Sequence, residues 1–470
     1  MEALPSPREV WEFFRWIADY LDRRRWMLKR EKRRRSRRDP LLYEVLREAY
    51  SQLGVEVLTE GGRPWPLAVF PAPESQVKSQ LRGQEEGKIQ EPLLISLIRD
   101  QSPQIPDEMR EEGQRFREMR ERLFPTILPL TEEDYVTYRM VRMEEREEGP
   151  GVVAGIGSFL GMMDSCDLLE REILEEFSDR RPPAGDRSDL LQFFLSLRFR
   201  SLIHGRVGNP VVDGSLRDAA IGMSVVLAFY DGRAGGYRLL VRMRSEKVAV
   251  HPEMLHVVPS SMFQPSTGYY CSEYSLAHNF LREYLEEVFD YREMARPFGG
   301  YPTWFYDRPE VRYLAHLLDS GGAKFIPTGI CVNLLNLRPE LCALLLIEDP
   351  EWFSVHASGG TVRVGSVRLD LESPPRTGRE VGPSRVVWEA EQREETLRLR
   401  PISPNEEYKS VPIESDLLES PSFSDLVEKL VSSFGLPEAL RRVPQAAFVP
   451  PAAGALSLAL RVIPDVAEKI

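Results

Sequence analysis

The sequence predicts an α+β protein with a mostly helical N-terminal region, and three stretches carry that prediction. Ile221–Tyr230 (IGMSVVLAFY) is an apolar run of strand composition, and DGRAGG turns it into the alternating strand Tyr237–Ser245. Ser275–Tyr291 (SLAHNFLREYLEEVFDY) places Leu276, Phe280, Tyr284 and Val288 at helical steps. Phe325–Leu337 and Glu340–Asp349 then supply two more buried strands. Strands, one central helix and strands again describe an α+β sandwich.

The other elements follow in chain order. Val10, Phe13, Phe14, Ile17 and Leu21 make one apolar helical face, and Leu41–Leu53 repeats the pattern between Pro40 and Gly54. These helices and their basic stretch define a helical N-terminal segment, 1–73. Residues 74–125 are polar and broken by Pro and Gly. Their one periodic stretch, Glu108–Leu123, is laced with acids and bases, so the segment reads as a linker or lid. Residues 126–217 read as a mixed helical region, with helices at Cys166–Phe177 and around Asp189–Phe199 and a loop, RPPAGDRSD, between them. From 218 to 470 runs a domain with a C-terminal extension. It includes a Ser/Pro-punctuated extended stretch before the central helix and the alternating strands Thr361–Ser373 and Thr396–Ser403.

At 470 residues, with 42% hydrophobic and 29% charged residues, the chain has the composition of a globular protein of about three domains. No window predicts a membrane span, and MEALPSPREV has acids and prolines where a secretory apolar segment would sit. The cysteines at 166, 271, 331 and 342 show no CxxC spacing, which points to a reducing compartment and a cytoplasmic location. The net charge of -12 argues against a general nucleic-acid binder. Between Arg23 and Arg38, however, eleven basic residues face one acid, so the rest of the chain carries about -22. Such an arm either finds an acidic partner such as RNA, DNA or a lipid surface, or folds back on its own acidic body.

The chemistry concentrates on the central helix. Glu283, Glu286 and Glu287 stand at i, i+3 and i+4, so an α-helix puts all three carboxylates on one face. Three like charges there are unfavourable unless a cation sits among them. Arg242 and Arg244 alternate on the preceding strand, share a face and could grip a phosphate. Phe263, Tyr269, Tyr270, Trp304, Phe305 and Tyr306 offer flat faces for a nucleobase.

Arg282–Glu287 (REYLEE) is similar to the second half of the Nudix hydrolase signature: Gly, five residues, Glu, seven residues, then Arg-Glu-apolar-x-Glu-Glu-x-Gly-apolar. Gly268 falls at the leading glycine, so the resemblance places the box at 268–290. The preceding hairpin and VPSSMF loop look like the family's approach to it. Departures are Tyr274 at the upstream Glu position with Glu273 one place early, Phe289 and Asp290 at the closing pair, and Ser260 and Ser261 in place of glycines. A second hexapeptide of the same pattern, Arg171–Glu176 (REILEE), lacks the hairpin and VP loop.

The resemblance covers about Asp218–Asp349. It implies a Nudix-like α/β/α sandwich and metal-dependent hydrolysis of a nucleoside-diphosphate-linked compound. Glu283 and Glu286 would be catalytic, and Glu283, Glu286 and Glu287 would hold Mg²⁺ or Mn²⁺. Arg242, Arg244, Phe263 and Arg282 would hold substrate. The alternative is a degenerate Nudix-like domain, a regulator that senses a nucleotide and acts through its N-terminal region. The partners expected are a nucleotide-type small molecule, a nucleic acid or other acidic partner at Arg23–Arg38, and a second copy in a homodimer. His204, His251, His256, His278, His316 and His356 show no zinc spacing. The glycines of Gly155–Gly161 lack a phosphate-loop Lys, and Ser260 and Ser261 lack a nucleophile elbow.

Overall fold

The computed structural model describes residues 7–82, 87–99, 101–123, 134–245, 253–291, 301–374, 379–403, 408–414, 417 and 421–463, without the side chains of 7–10, 12–14 and 82. The fold is mixed α/β with open sheets. The large sheet takes β1 (Val57–Glu60), β2 (Arg63–Pro71), β6 (Gly222–Asp231), β7 (Gly236–Met243), β10 (Ala323–Asn333), β11 (Arg338–Ile347) and β15 (Tyr408–Pro412) in the order β1-β2-β10-β11-β6-β7-β15. Two short strands hang from it: β8 (Leu255–Val257) on β7 and β9 (Ser260–Met262) on β6. The β6–β7 hairpin is antiparallel, whereas β11 runs parallel to β6 with Glu340 opposite Gly222.

Side-chain alternation divides the core between the two faces of this sheet. Val225, Leu227, Phe229, Leu341, Ala343 and Leu345 pack in one cluster with Leu276, Phe280 and Tyr284 of the central helix. Val226, Ala228, Cys342, Leu344 and Leu346 pack in another with the Ala-rich helix Pro450–Leu460. Both faces are covered, which is why β6 and β11 read as continuous apolar runs rather than alternating ones.

A second sheet, ordered β13-β3-β5-β4, joins Glu380–Val381, Leu94–Ile98, Gly149–Ser158 and Val136–Arg146. The sequence expectations need correction in two places. Residues 57–71 belong to no helical segment: they are a hairpin, and β2 pairs with β10, so the large sheet runs across the boundary expected at 73. Residues 94–98 and 136–158 lie in the linker and in the mixed helical region, yet they form strands with buried Leu94, Leu97, Met140 and Val152.

The expected helices form as α1 (Pro7–Arg37), α2 (Pro40–Ser51, capped by Asp39), α4 (Asp107–Leu123), α5 (Phe159–Asp179) and α6 (Arg187–Leu195), the last ending short of Phe199; α3 (Glu74–Arg82) and α7 (Arg198–His204) were not anticipated. Of the apolar face expected on α1, the side chains of Val10, Phe13 and Phe14 lie outside the described residues, and Leu21 is exposed rather than inward. No helix among the described residues is long and apolar enough to cross a membrane.

Candidate functional site

The central helix starts as α8 (Leu276–Glu283), with Ser275 as its N-cap, and continues as a π-helical turn over Tyr284–Val288. Its N-terminus is anchored from outside by Glu91, which accepts from Ser275 Oγ (2.6 Å), Leu276 N (2.9 Å) and Ala277 N (3.1 Å). Burial pushes the Glu91 carboxyl up to about 7 against the pull of these donors. A π turn adds a residue to the helical circuit, so the acids after Tyr284 are rotated from an ideal i, i+3, i+4 face.

The acids are not a solvated face. The Glu283, Glu286 and Glu287 side chains keep 7%, 10% and 15% of their exposure, and each meets a guanidinium. Arg282, fully buried, donates to Glu283 (2.8 Å) and to the Gln264 carbonyl (2.9 Å) and lies 3.9 Å from Glu286. Glu287 accepts from Arg242 and from Ser260 N (2.7 Å), which ties the helix to the loop after the Val258–Pro259 peptide. The charge of Arg244 acts on both Glu287 and Glu340. Burial raises the Glu287 carboxyl even though Arg242 opposes it, and Glu287 in turn keeps Arg242 firmly protonated despite burial. Three carboxylates thus pair with two guanidiniums, Arg282 and Arg242, and the charge of Arg244 lies nearby.

That pairing is the fit test for a divalent ion. Hard cations need carboxylate oxygens that are free to turn toward one point. Here both oxygens of Glu287 are committed, to Arg242 and to Ser260 N, and Glu283 commits one oxygen to Arg282. Among the described residues no group of three or more His, Cys, Asp or Glu is placed to hold a metal. As arranged, Glu283, Glu286 and Glu287 do not fit Mg²⁺ or Mn²⁺.

Several expected substrate contacts are also spent internally. Phe263 is fully buried, with its ring 4.8 Å from that of Tyr138, so it offers no face to a nucleobase; Phe305 and Tyr306 are buried too. Tyr269 and Tyr270 stay exposed at 56% and 38%. Glu273 accepts from the backbone and side chains of Ser266 and Thr267. Burial alone would raise its pKa, but His278, Ser266 and Thr267 hold it down to about 2. It anchors the loop in which Gly268 adopts a φ of 85°. Tyr274, at the signature's upstream Glu position, fills the core and donates toward the Ser96 and Val152 carbonyls (3.3 Å each). The glycines of Gly155–Gly161 have an internal purpose. A Cβ at Gly157 would stand 2.0 Å from Asp218 Oδ1, and one at Gly161 would stand 2.4 Å from Oδ2. Ser158 N donates to that carboxylate (2.9 Å), so Asp218 takes the place a phosphate would occupy at the start of α5.

Sequence reasoning missed a polar cavity of about 450 Å³ where α3, the second sheet and β10 meet. Arg146, Arg385, Gln76, Gln80, Glu91 and Glu148 are among its lining residues. Its residues come from four distant segments, so only the folded chain brings them together. Gln80 is nine-tenths buried, and its carboxamide oxygen, like that of Gln76, has no protein partner. The volume falls in the range of small-molecule sites.

The basic stretch Arg23–Arg38 is the C-terminal half of α1, and its inner side pairs with the chain's own acids. Lys29 and Arg33 meet Glu175 (3.0 and 2.6 Å), while Lys32, Arg37 and Arg34 meet Asp179, Glu170 and Glu253. Ser36 Oγ donates to the Leu174 carbonyl (2.6 Å), and Trp26 stacks on Phe116 (4.6 Å). No protein-family model matches the chain, and no curated protein matches it.

Proposed function

We propose that the chain is a catalytically degenerate Nudix-like protein, a regulator that binds a nucleotide-type ligand without hydrolysing it and acts through its N-terminal region. The resemblance supplies the frame: hairpin, VP loop and acid-bearing helix inside an α/β/α sandwich. The observation that carries the reading is the pairing of all three acids with two arginines: Glu283 and Glu286 with fully buried Arg282, and Glu287 with half-buried Arg242. Metal-assisted attack on a pyrophosphate needs those carboxylates to carry a metal. Here Glu287 ties the helix to the sheet at Arg242 and Ser260, and Glu283 and Glu286 pair with Arg282 of the same helix.

A nucleotide-type ligand belongs in the cavity beside Glu91 under this reading. Arg146 and Arg385 suit phosphate oxygens, and the carboxamides of Gln76 and Gln80 suit the N–H edge of a base. Because Glu91 lines the cavity and caps α8, occupancy there would be felt by the box helix.

The test is a hydrolysis screen over nucleotide sugars, ADP-ribose and dinucleoside polyphosphates with Mg²⁺ and Mn²⁺, beside calorimetric titration of Mn²⁺. No turnover and no Mn²⁺ binding are expected. A thermal shift with ADP should be lost in Arg385→Glu. Turnover that disappears in the Glu286→Gln/Glu287→Gln double variant would restore the hydrolase reading.

A further inference from the structure

Exposed apolar surface on this chain is concentrated on one element. Ten large hydrophobic side chains are conspicuously exposed among the described residues, and six of them (Trp11, Trp16, Tyr20, Leu21, Met27 and Leu28) lie on α1, at 52–62% exposure. Such residues scattered singly need no explanation, but five of these, all except Trp11, fall within an arc of roughly 140° on one helix and make a patch. At 100° per residue, Trp16, Tyr20 and Met27 form a single stripe, with Leu21 and Leu28 on the adjoining flank. The inward side is set by Trp26, Arg33, Ser36 and Arg37, which pack on α4 and α5; the stripe lies away from them. The Trp16 and Tyr20 rings stack at 5.8 Å, and both are exposed.

Basic charge flanks the same stripe. Arg23 and Arg30 lie on one side of it and Arg24 on the other, all exposed and without a salt bridge among the described residues. The acids on this part of the helix are already paired, since Asp19 and Asp22 meet Arg122, Arg25 also reaches Asp22, and Glu31 meets Arg35. The free charge of the outward face is therefore positive, while Lys29, Arg33 and Arg37, which hold the helix to the body, point the other way.

We propose that α1 is a peripheral docking helix for an anionic phospholipid surface. It lies flat, with Trp16, Tyr20, Met27, Leu21 and Leu28 at the headgroup–acyl boundary and Arg23, Arg24 and Arg30 on lipid phosphates. Amphipathic helices with aromatic and aliphatic residues beside arginine bind membranes in this way, by buried apolar area plus attraction to anionic lipid. Tryptophan and tyrosine suit that depth because each ring is apolar with a polar handle. Two other occupants fit less well. A nucleic acid would use the arginines and could stack on the rings, but the exposed Leu21, Met27 and Leu28 have no partner on bases or phosphates. A parallel pairing with a second copy would bring like charges at Arg23, Arg24 and Arg30 together. The docking is independent of whether the box hydrolyses.

The experiment is flotation of the full-length protein with vesicles of phosphatidylcholine alone or with about one third phosphatidylglycerol, at low and high salt, with tryptophan emission recorded. Flotation with the anionic vesicles, a blue-shifted emission and loss of binding at high salt are expected. Arg23→Glu/Arg24→Glu/Arg30→Glu should lower partitioning about a hundredfold. Trp16→Ser/Tyr20→Ser/Met27→Ser should weaken it about tenfold and remove the blue shift. Thermal melts of both variants should match the parent, since the changed side chains are exposed. The proposal fails if the parent ignores anionic vesicles at low salt or if neither triple variant changes partitioning. It also fails if the protein captures a nucleic acid while ignoring vesicles, or forms a dimer that the apolar variant dissolves without any vesicle binding.

Discussion

The chain carries the hexapeptide Arg-Glu-apolar-Leu-Glu-Glu twice, and the two copies do opposite work. In Arg282–Glu287 it faces inward: Arg282 is fully buried, and Glu287 reaches the loop at Ser260 and the strand at Arg242. In Arg171–Glu176 it faces a neighbouring helix layer. Arg171 lies 3.6 Å over the Phe116 ring, Glu172 accepts from the first amides of α7 at Phe199 and Arg200, and Glu175 receives the basic arm. An identical pattern on a helix therefore specifies a face of charge and nothing about its partner. The partner comes from what the neighbouring segments present: a hairpin carrying Arg242 in one case, a 31-residue basic helix in the other.

The contrast predicts unequal costs of cutting the same residue in each copy. Arg282→Ala leaves Glu283 buried without its partner and the Gln264 carbonyl without a donor, and should destabilise the fold by about 3–5 kcal/mol. Arg171→Ala removes a cation–π contact and a looser ion pair with Glu112 (3.5 Å), and should cost about 1–2 kcal/mol. Urea denaturation of both variants measures the difference. Equal losses would mean that the two copies are equivalent structural helices and that the inward one has no special standing.

A smaller change probes the acids. Glu287→Gln keeps the shape but leaves Arg242 without a countercharge, for an expected loss of about 2–4 kcal/mol. Mn²⁺ titrations of parent and variant should be equally flat. Affinity present in the parent and lost in the variant would mean that a metal displaces Arg242.

What could be read from the sequence follows the same division between pattern and partner. The strands and helix of 218–349 were legible because two-sided burial gives apolar runs too long for loops and the central helix has a clean period. The hairpins at 57–71 and 136–158 were signalled too, by GG at 61–62, where both φ values are positive, and by the turn before Gly149. Their strands carry Pro, Gly or charge, which masked the alternation. Glu273 stood one place before the signature's Glu, and sequence cannot show that four donors of Ser266 and Thr267 would claim it. The pairing of Glu287 with Arg242 was hidden for the same reason, whereas Arg282 could be expected to hold one Glu in position, as it does Glu283.

A third test uses pH on the strand beneath the inward copy. Glu340 shares the influence of Arg244 with Glu287 and accepts from Ser224 Oγ (2.5 Å). Burial pushes its carboxyl up to about 7. A carboxyl raised in the fold binds its proton more tightly there than in the unfolded chain. Its contribution is therefore full below about pH 4.5 and is lost as pH rises through about 7. Glu340→Gln removes that titration. The stability gap between variant and parent should shift in the variant's favour by on the order of 2 kcal/mol from pH 5 to pH 8. A gap that stays constant over that range would show that Glu340 is not the protonated group.

The smallest effect belongs to the outward copy. Glu175 meets Lys29, which is 44% exposed, and Arg33, in a half-buried pair at 17% and 16%, but the charge of Glu170 still acts on Arg33 when Glu175 is replaced. An exposed pair such as Lys29–Glu175 is worth about 0–1 kcal/mol. Glu175→Gln should cost no more than ~1 kcal/mol at low ionic strength, and raising salt to about 1 M should erase most of the difference. The arm should stay seated in the variant, because Ser36 still donates to the Leu174 carbonyl, Arg37 still meets Glu170 and Trp26 still stacks on Phe116. Denaturation curves at both salt concentrations give the stability, and protease sensitivity at Arg23–Arg38 reports the seating. A salt-independent loss above about 3 kcal/mol would place Glu175 in the class of Glu287 and erase the distinction between the two copies. Release of the arm without loss of global stability would show that its ion pairs, and not its packing, hold the basic helix to the body.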